Sequence, residues 1–314
     1  MRRNSVLQKL TRPDKRKLLG LKYFALAVPF LVFVFAFSYV PLISWVYAFY
    51  DYKMGMPFLD LSKVEFVGLN NFAKLVREGR ETIRVLRNTL VMSSLNILVS
   101  PLPVIFAILL NEIRSGWFRK FIQTTTTLPH FISWIVVYGV AFSMFSMNGL
   151  VNQIYAMLNL PVPQVSILGN NKMAWLFHLG LGIWKSLGWS AIIYIAAITG
   201  IDTELYDAAK IDGANKFRLM LHVTVPGIAP TYIVLLLLSI SNLLSNGFDQ
   251  YFVFYNSMVS DKVEVLDYYV YKVGFLVGDY SYSIALGMFK TLVSITLLFT
   301  VNFISKKVRG ESLV

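Results

Sequence analysis

Residues 205–230 read LYDAAKIDGANKFRLMLHVTVPGIAP, a compact polar stretch set between two long apolar runs. Asp202 or Thr203 is placed to cap a short helix here. Glu204 puts a carboxylate in its first turn, where the positive end of the helix dipole favours it. Asp207-Ala208-Ala209 continues the helix, and Gly213 is placed to end it in a left-handed conformation. A second helical piece over residues 215–225 leads to Pro226 and Pro230, which open the next apolar run. Ala209, Gly213 and Ala214 are small enough to let another protein come close to the backbone. A short, small-faced polar helix between two membrane spans implies that something docks there.

Composition supports that setting. Of 314 residues, 56% are hydrophobic and 15% charged, and the mean hydropathy is +0.60. Soluble domains carry about a quarter charged residues, so the chain reads as an all-α polytopic membrane protein. There is no cysteine, which excludes a disulfide, a thiolate zinc site and a thiol nucleophile. His130, His178 and His222 are scattered without metal spacing; the first two read as helix-end or interface residues. No GxxxxGK[ST] loop occurs, so the chain does not hold ATP in the P-loop manner. No catalytic or metal site is expected.

Outward from the quoted stretch, the chain divides into six spans. Residues 1–22 carry eight Lys or Arg against one Asp, too basic and too long for the start of a cleaved signal peptide. The first span covers 23–47 and ends in an interfacial aromatic group, Trp45, Tyr47, Tyr50 and Tyr52. A polar loop follows over 51–86, with an amphipathic helix at 70–84. The second span, 88–110, contains Pro101 and Pro103 and must kink. After a basic turn at 111–120 comes the third span, 121–145, with Pro129-His130 as a candidate kink. Residues 146–172 form a loop with a short helix at 150–159. The fourth span is 173–201, the fifth 230–245 and the sixth 282–304, with an aromatic, acidic segment at 246–281 between the last two. A basic tail closes the chain.

Six spans put both termini on one side. The side holding the tails, the 111–120 turn and the 202–228 loop has 17 Lys or Arg against 7 acids; the other side has 10 of each. The positive-inside rule therefore makes both tails and the 202–228 loop cytoplasmic. The net charge of +12 expresses that orientation and implies no nucleic-acid partner.

Asp207-Ala208-Ala209, Gly213 and Val223-Thr224-Val225-Pro226 together resemble the "EAA" loop of permease subunits of bacterial binding-protein-dependent (type I) ABC importers. That pattern reads Glu-Ala-Ala, three residues, Gly, nine residues, Ile-x-Leu-Pro, and the spacing fits throughout. Asp207, Val223 and Val225 depart from it conservatively, and Asp212-Gly213-Ala214 matches its centre. FVGLNNF (66–72) with Asn88-Thr89, GFDQYFVFYN (247–256), DYYVY (267–271) and Tyr280-Ser281 followed by ALGMFK (285–290) resemble the oligosaccharide and complex-polysaccharide branch of the sugar importers. The resemblance runs from about residue 20 to the C-terminus. It implies a tail (1–22), a first span with external loop (23–87), a core permease domain (88–305) containing the coupling loop, and a second tail (306–314). It further implies a second homologous permease, two ATPase subunits that bind ATP and magnesium, and an external solute-binding protein. On this reading Asp207, Ala208, Ala209, Asp212, Gly213, Ala214 and Pro226 couple to the ATPases. The alternative is an ion-coupled secondary transporter, which would want paired carboxylates inside the spans; the spans as drawn contain none.

Sugars are held by aromatic faces with amide and hydroxyl groups. Trp184, Trp189, Tyr194, Ser239, Asn242, Asn246, Phe248 and Gln250 are the candidates for a substrate pathway, weighed against lipid-facing or packing duty. Lys185 and Lys290 fall well inside spans, where a charge costs about 2.5–3.5 kcal/mol and needs a partner or water. Each either pairs with a carbonyl or carboxylate, or faces the pathway; Lys185, flanked by Trp184 and Trp189, is the better candidate to meet an acidic sugar.

Overall fold

The computed structural model describes residues 15–53, 55–57, 60–161 and 165–309. Most of the expected N-terminal tail, and residues 310–314 of the C-terminal one, lie outside the described residues. Regular structure among the described residues is helical, save for one isolated antiparallel bridge between Tyr50 and Phe66. Among the described residues, six helices are long and apolar enough to cross a bilayer: Lys22–Phe49, Gly79–Asn111, Trp134–Met157, Ala174–Thr199, Lys216–Ser241 and Tyr280–Lys307.

The first span is α1 (Lys15–Val34), continued by a π turn (Phe35–Tyr39) and a 3-10 stretch (Val40–Phe49). After α2 (Asn70–Arg77) the second span is α3 (Gly79–Val99) and α4 (Pro101–Asn111), meeting at Ser100 where the expected proline kink falls. The third is α5 (Gly116–Phe131) and α6 (Trp134–Phe145), followed by α7 (Leu150–Met157). It is fully broken rather than kinked at residues 132–133, and Ser133 caps the new helix by accepting from the Val136 N–H. Then come α8 (Ala174–Thr199) and the short α9 (Thr203–Ile211).

The fifth span departs from expectation. It starts at α10 (Lys216–Leu219), passes a π turn (Met220–Thr224) and continues as α11 (Val225–Ser241), so Pro226 and Pro230 lie within one continuous helical rod. At the π turn the Val225 N–H reaches Met220 O, five residues back, and this widened turn absorbs the donor missing at Pro226. Next are α12 (Asp249–Phe254), α13 (Ser260–Val263) and α14 (Leu266–Tyr271), a π turn (Lys272–Val277), and the last span α15 (Tyr280–Arg309).

The aromatic, acidic segment between the fifth and sixth spans holds much of the packed core. Val263, Val265, Leu266, Tyr268 and Tyr269 are buried, and they join Met92, Val85, Tyr251, Tyr282 and Leu286 in two clusters. Asn88 and Thr89 stitch α3 to this segment. Asn88 Nδ2 donates to Asp261 O at 2.9 Å and Glu264 O at 3.1 Å, while Thr89 Oγ1 accepts from the Leu266 N–H at 2.8 Å. Glu264 is fully buried between Arg84 at 2.5 Å and Lys272 at 2.8 Å. A buried carboxylate is tolerated only with such partners, and removing one member of a buried pair costs about 3–5 kcal/mol.

Two ends of the molecule follow. At one, Lys74 pairs with Asp279, Arg87 with Asp261, and Trp175 donates to Lys262 O. Burial works against the Lys74 charge, but the bond and charge of Asp279 outweigh it and hold that amine above the usual lysine range. At the other end, Lys216 pairs with Glu112 at 2.9 Å. The 51–87, 172–175 and 261–279 regions thus gather together, and the 112–116 turn meets the polar loop, as six alternating spans demand.

Candidate functional site

α9 is built from purely local signals. Asp202 Oδ1 accepts the Glu204 N–H at 2.9 Å, Gly213 leaves the helix at φ 78°, and Asn215 Oδ1 caps α10 through the Arg218 N–H at 2.9 Å. None of the residues of α9 is buried. Asp207 pairs along the helix with Lys210 at 2.8 Å, an exposed contact worth little to stability. Asp207, Ala208, Asp212 and Gly213 are exposed, Ala209 and Ala214 half-buried, and Pro226 is exposed at the start of α11. Ile211 is 86% exposed at the end of α9, and Leu205 on the same helix is exposed too, so large apolar side chains stand uncovered there. A single bond between Tyr206 OH and Thr224 Oγ1, 3.0 Å, seats α9 on the span below. This element is held at its ends and presents an uncovered face.

The second feature is a cavity of about 500 Å³ between α3–α4, α8 and α11. Each wall contributes a polar row at helical spacing: Ser93, Asn96 and Ser100 from the second span; Ser186, Ser190 and Tyr194 from the fourth; Ser239, Asn242 and Asn246 from the fifth and its continuation. Asn246 donates to Ser93 Oγ at 2.8 Å, and its Oδ1 is buried without a partner. Asp267 braces this corner, accepting from the Asn246 and Gly247 N–H groups at 2.9 and 3.0 Å and from Lys290.

Four of the nine pathway candidates, Tyr194, Ser239, Asn242 and Asn246, line the cavity; the other five do not. Gln250 donates to His178 O at 2.9 Å, and Phe248 stacks on Phe252. Trp189 stacks on His130 at 4.4 Å, on the α5 side of α8, and Trp184 is exposed. Lys185 Nζ donates to Pro129 O at 3.1 Å, to His130 O at 2.8 Å and to Ile132 O. His130 O and Ile132 O lie where the third span breaks, while Pro129 O also takes the Ile132 N–H at 3.2 Å; a helix end inside a membrane must find such donors. Gly188 makes the reach possible. A β-carbon there would lie 2.3 Å from Thr126 O, so α8 rides directly on the α5 backbone. Lys290 is likewise partnered within the chain, by Asp267 and by Ser245 Oγ at 3.1 Å. Asp267 falls outside the spans as read from sequence, which is why no carboxylate was expected near Lys290.

Residues 99–310 match the family of binding-protein-dependent transport system inner membrane components. The chain belongs to this family. The permease is 38% identical over 300 residues to the polygalacturonan/rhamnogalacturonan transport system permease protein YteP of Bacillus subtilis (strain 168), covering 95% of this chain and 92% of the relative. It is 38% identical over 292 residues to Protein LplB of the same organism, covering 92% and 90%. Among solved structures it is similar to the bacterial alginate ABC transporter in complex with an alginate pentasaccharide-bound periplasmic protein. The TM-score is 0.82 at 28% identity, over 95% of this chain and 97% of that one. The permease is thus a multi-pass membrane transport component of the all-α ABC permease fold, and not an enzyme.

Sequence reasoning missed Ser93, Asn96, Ser100, Ser186, Ser190 and Ser245 in the permease's cavity. The signal was present: polar residues three and four apart inside an apolar run mark the inward face of a span.

Proposed function

We propose that this chain is one permease subunit of an ATP-driven importer of oligosaccharides, forming half of the translocation pathway. A second homologous permease forms the other half, two ATPase subunits dock at α9, and an external solute-binding protein delivers the cargo. The observation that carries the reading is α9, a capped, glycine-terminated helix with no buried residue at the end of a membrane bundle. In an ATP-driven importer whose permease has no ATP-binding loop, the work comes from a partner, and α9 is where this chain offers a surface. ATP and magnesium then belong to the partner subunits. Asp207, Ala208, Ala209, Asp212, Gly213, Ala214 and Pro226 form the coupling element, which faces the cytoplasm of a bacterial cell by the positive-inside count. Tyr194, Ser239, Asn242 and Asn246 line the pathway. The carbohydrate assignment follows the pectic and alginate relatives and the serine- and asparagine-rich cavity.

The test is reconstitution of the four kinds of subunit in proteoliposomes. Oligosaccharide uptake should require ATP inside the coupled compartment and survive ionophores that collapse proton and sodium gradients. Uptake that follows the ion gradients and ignores ATP would favour the secondary-transporter alternative.

A further inference from the structure

Resting on the oligosaccharide reading above, we infer that the polar cavity is a binding site for sugar hydroxyls that takes no part in sensing cargo charge. No Lys, Arg, Asp or Glu lines it among the described residues. What it offers are neutral donors and acceptors with capacity to spare. The side chains of Asn96 and Ser190 have no hydrogen-bond partner among the described residues. Asn246 Oδ1 is buried and unpaired, an acceptor awaiting an O–H. A buried amide oxygen left alone costs about 1–3 kcal/mol, and a hydroxyl-bearing ligand relieves that cost.

The two in-span lysines that could have read a carboxylate are both committed elsewhere. Lys290 comes nearest, touching Ser245 on the cavity wall, but Asp267 neutralises it and is itself fixed by the Asn246 and Gly247 N–H groups. Lys185 Nζ is turned onto the α5 carbonyls. A carboxylate entering this cavity meets no cation on its walls among the described residues, so it must stay with water or with the facing subunit. Selection for acidic or neutral cargo then resides in the partner permease or the binding protein, while this subunit grips the hydroxyls common to both.

The experiment uses the complete reconstituted transporter and two probes of one backbone, trigalacturonic acid and its methyl ester. For each variant the free-acid to ester uptake ratio is compared with that of the unsubstituted transporter. Asn96→Asp is isosteric and places a carboxylate in the cavity. It should lower the ratio about tenfold, since a like charge a few Å away in a partly desolvated site costs on the order of 1–4 kcal/mol. Ser190→Asp, from the facing wall, provides the same reading should Asn96→Asp insert poorly. Lys185→Gln retains N–H donors for the α5 carbonyls and should leave the ratio within about twofold of unity. An unchanged ratio in both acidic variants would remove the cavity from the pathway. A selective loss of free-acid uptake in Lys185→Gln would show that this subunit does sense charge. Either outcome overturns the inference, whereas uptake without ATP dependence overturns the proposed function and leaves the ratios readable.

Discussion

At φ 78°, Gly213 turns the chain from α9 towards α10, with open space where a β-carbon would be added. Gly213→Val therefore meets no clash inside this chain and carries only the left-handed backbone penalty, about 1–2 kcal/mol. Membrane yield should be near that of the unsubstituted protein, while ATP-driven uptake falls at least about tenfold if, as proposed, the branched side chain stands on a docking face. Uptake at the original rate would detach α9 from coupling. Lys185 carries a different kind of prediction. Lys185→Met removes this donor from Pro129 O, which keeps the Ile132 N–H, and from His130 O and Ile132 O; a buried carbonyl left unpaired costs about 1–3 kcal/mol. The detergent-solubilised variant should unfold at a temperature several degrees lower, and Lys185→Gln should recover much of the difference. An unchanged melting curve for Lys185→Met would mean that other groups or water satisfy the break.

Elements were legible in the sequence to the degree that their signals are local. The cap at Asp202, the turn at Gly213 and the cap at Asn215 were each readable from neighbouring residues, and so was the kink at Pro101 and Pro103. The fifth span was drawn too short because prolines read as helix boundaries, and a π turn that accommodates one is invisible in composition. The cavity was half legible. Tyr194, Ser239, Asn242 and Asn246 were placed in it, but weight given to aromatics drew in Trp184, Trp189 and Phe248, which pack or face outwards. Which face of a span turns inward is settled by its neighbours, and only the i, i+3, i+7 recurrence of serine and asparagine betrays it. The absence of cysteine makes the order of elements directly testable. Single replacements Arg114→Cys and Asp212→Cys should react with an impermeant maleimide only from the cytoplasmic face. Asn148→Cys and Ser257→Cys should react only from the outside, and external labelling at Asp212→Cys would invert the orientation.

At the scale of the whole molecule, much of the apolar surface of the described residues is uncovered. The apolar window of the first span has no buried residue, and large hydrophobic side chains such as Phe30, Phe37 and Leu26 are more than two-thirds exposed. Lipid covers such a surface by its nature, but the cavity is polar and needs another wall. A tagged permease expressed with its neighbours should therefore purify as one assembly containing a second permease and two ATPases, its mass read by native mass spectrometry. Recovery of this chain as a stable species on its own, with the other subunits present and folded, would count against the half-pathway reading.

The interruption at residues 132–133 bears on how movement travels. An unbroken rod carries compression from tip to tip, whereas a cut one passes thrust to whatever grips it beside the cut. Here the grip belongs to α8, through Gly188 against Thr126, Trp189 on His130 and Lys185 on the loose carbonyls. A displacement imposed near Gly116, next to the Glu112–Lys216 strut, is then diverted sideways before it reaches Trp134. The fourth span becomes the beam, and the outer half of the third takes its share from that beam, through Phe145 against Phe177 and Trp134 beside Lys185.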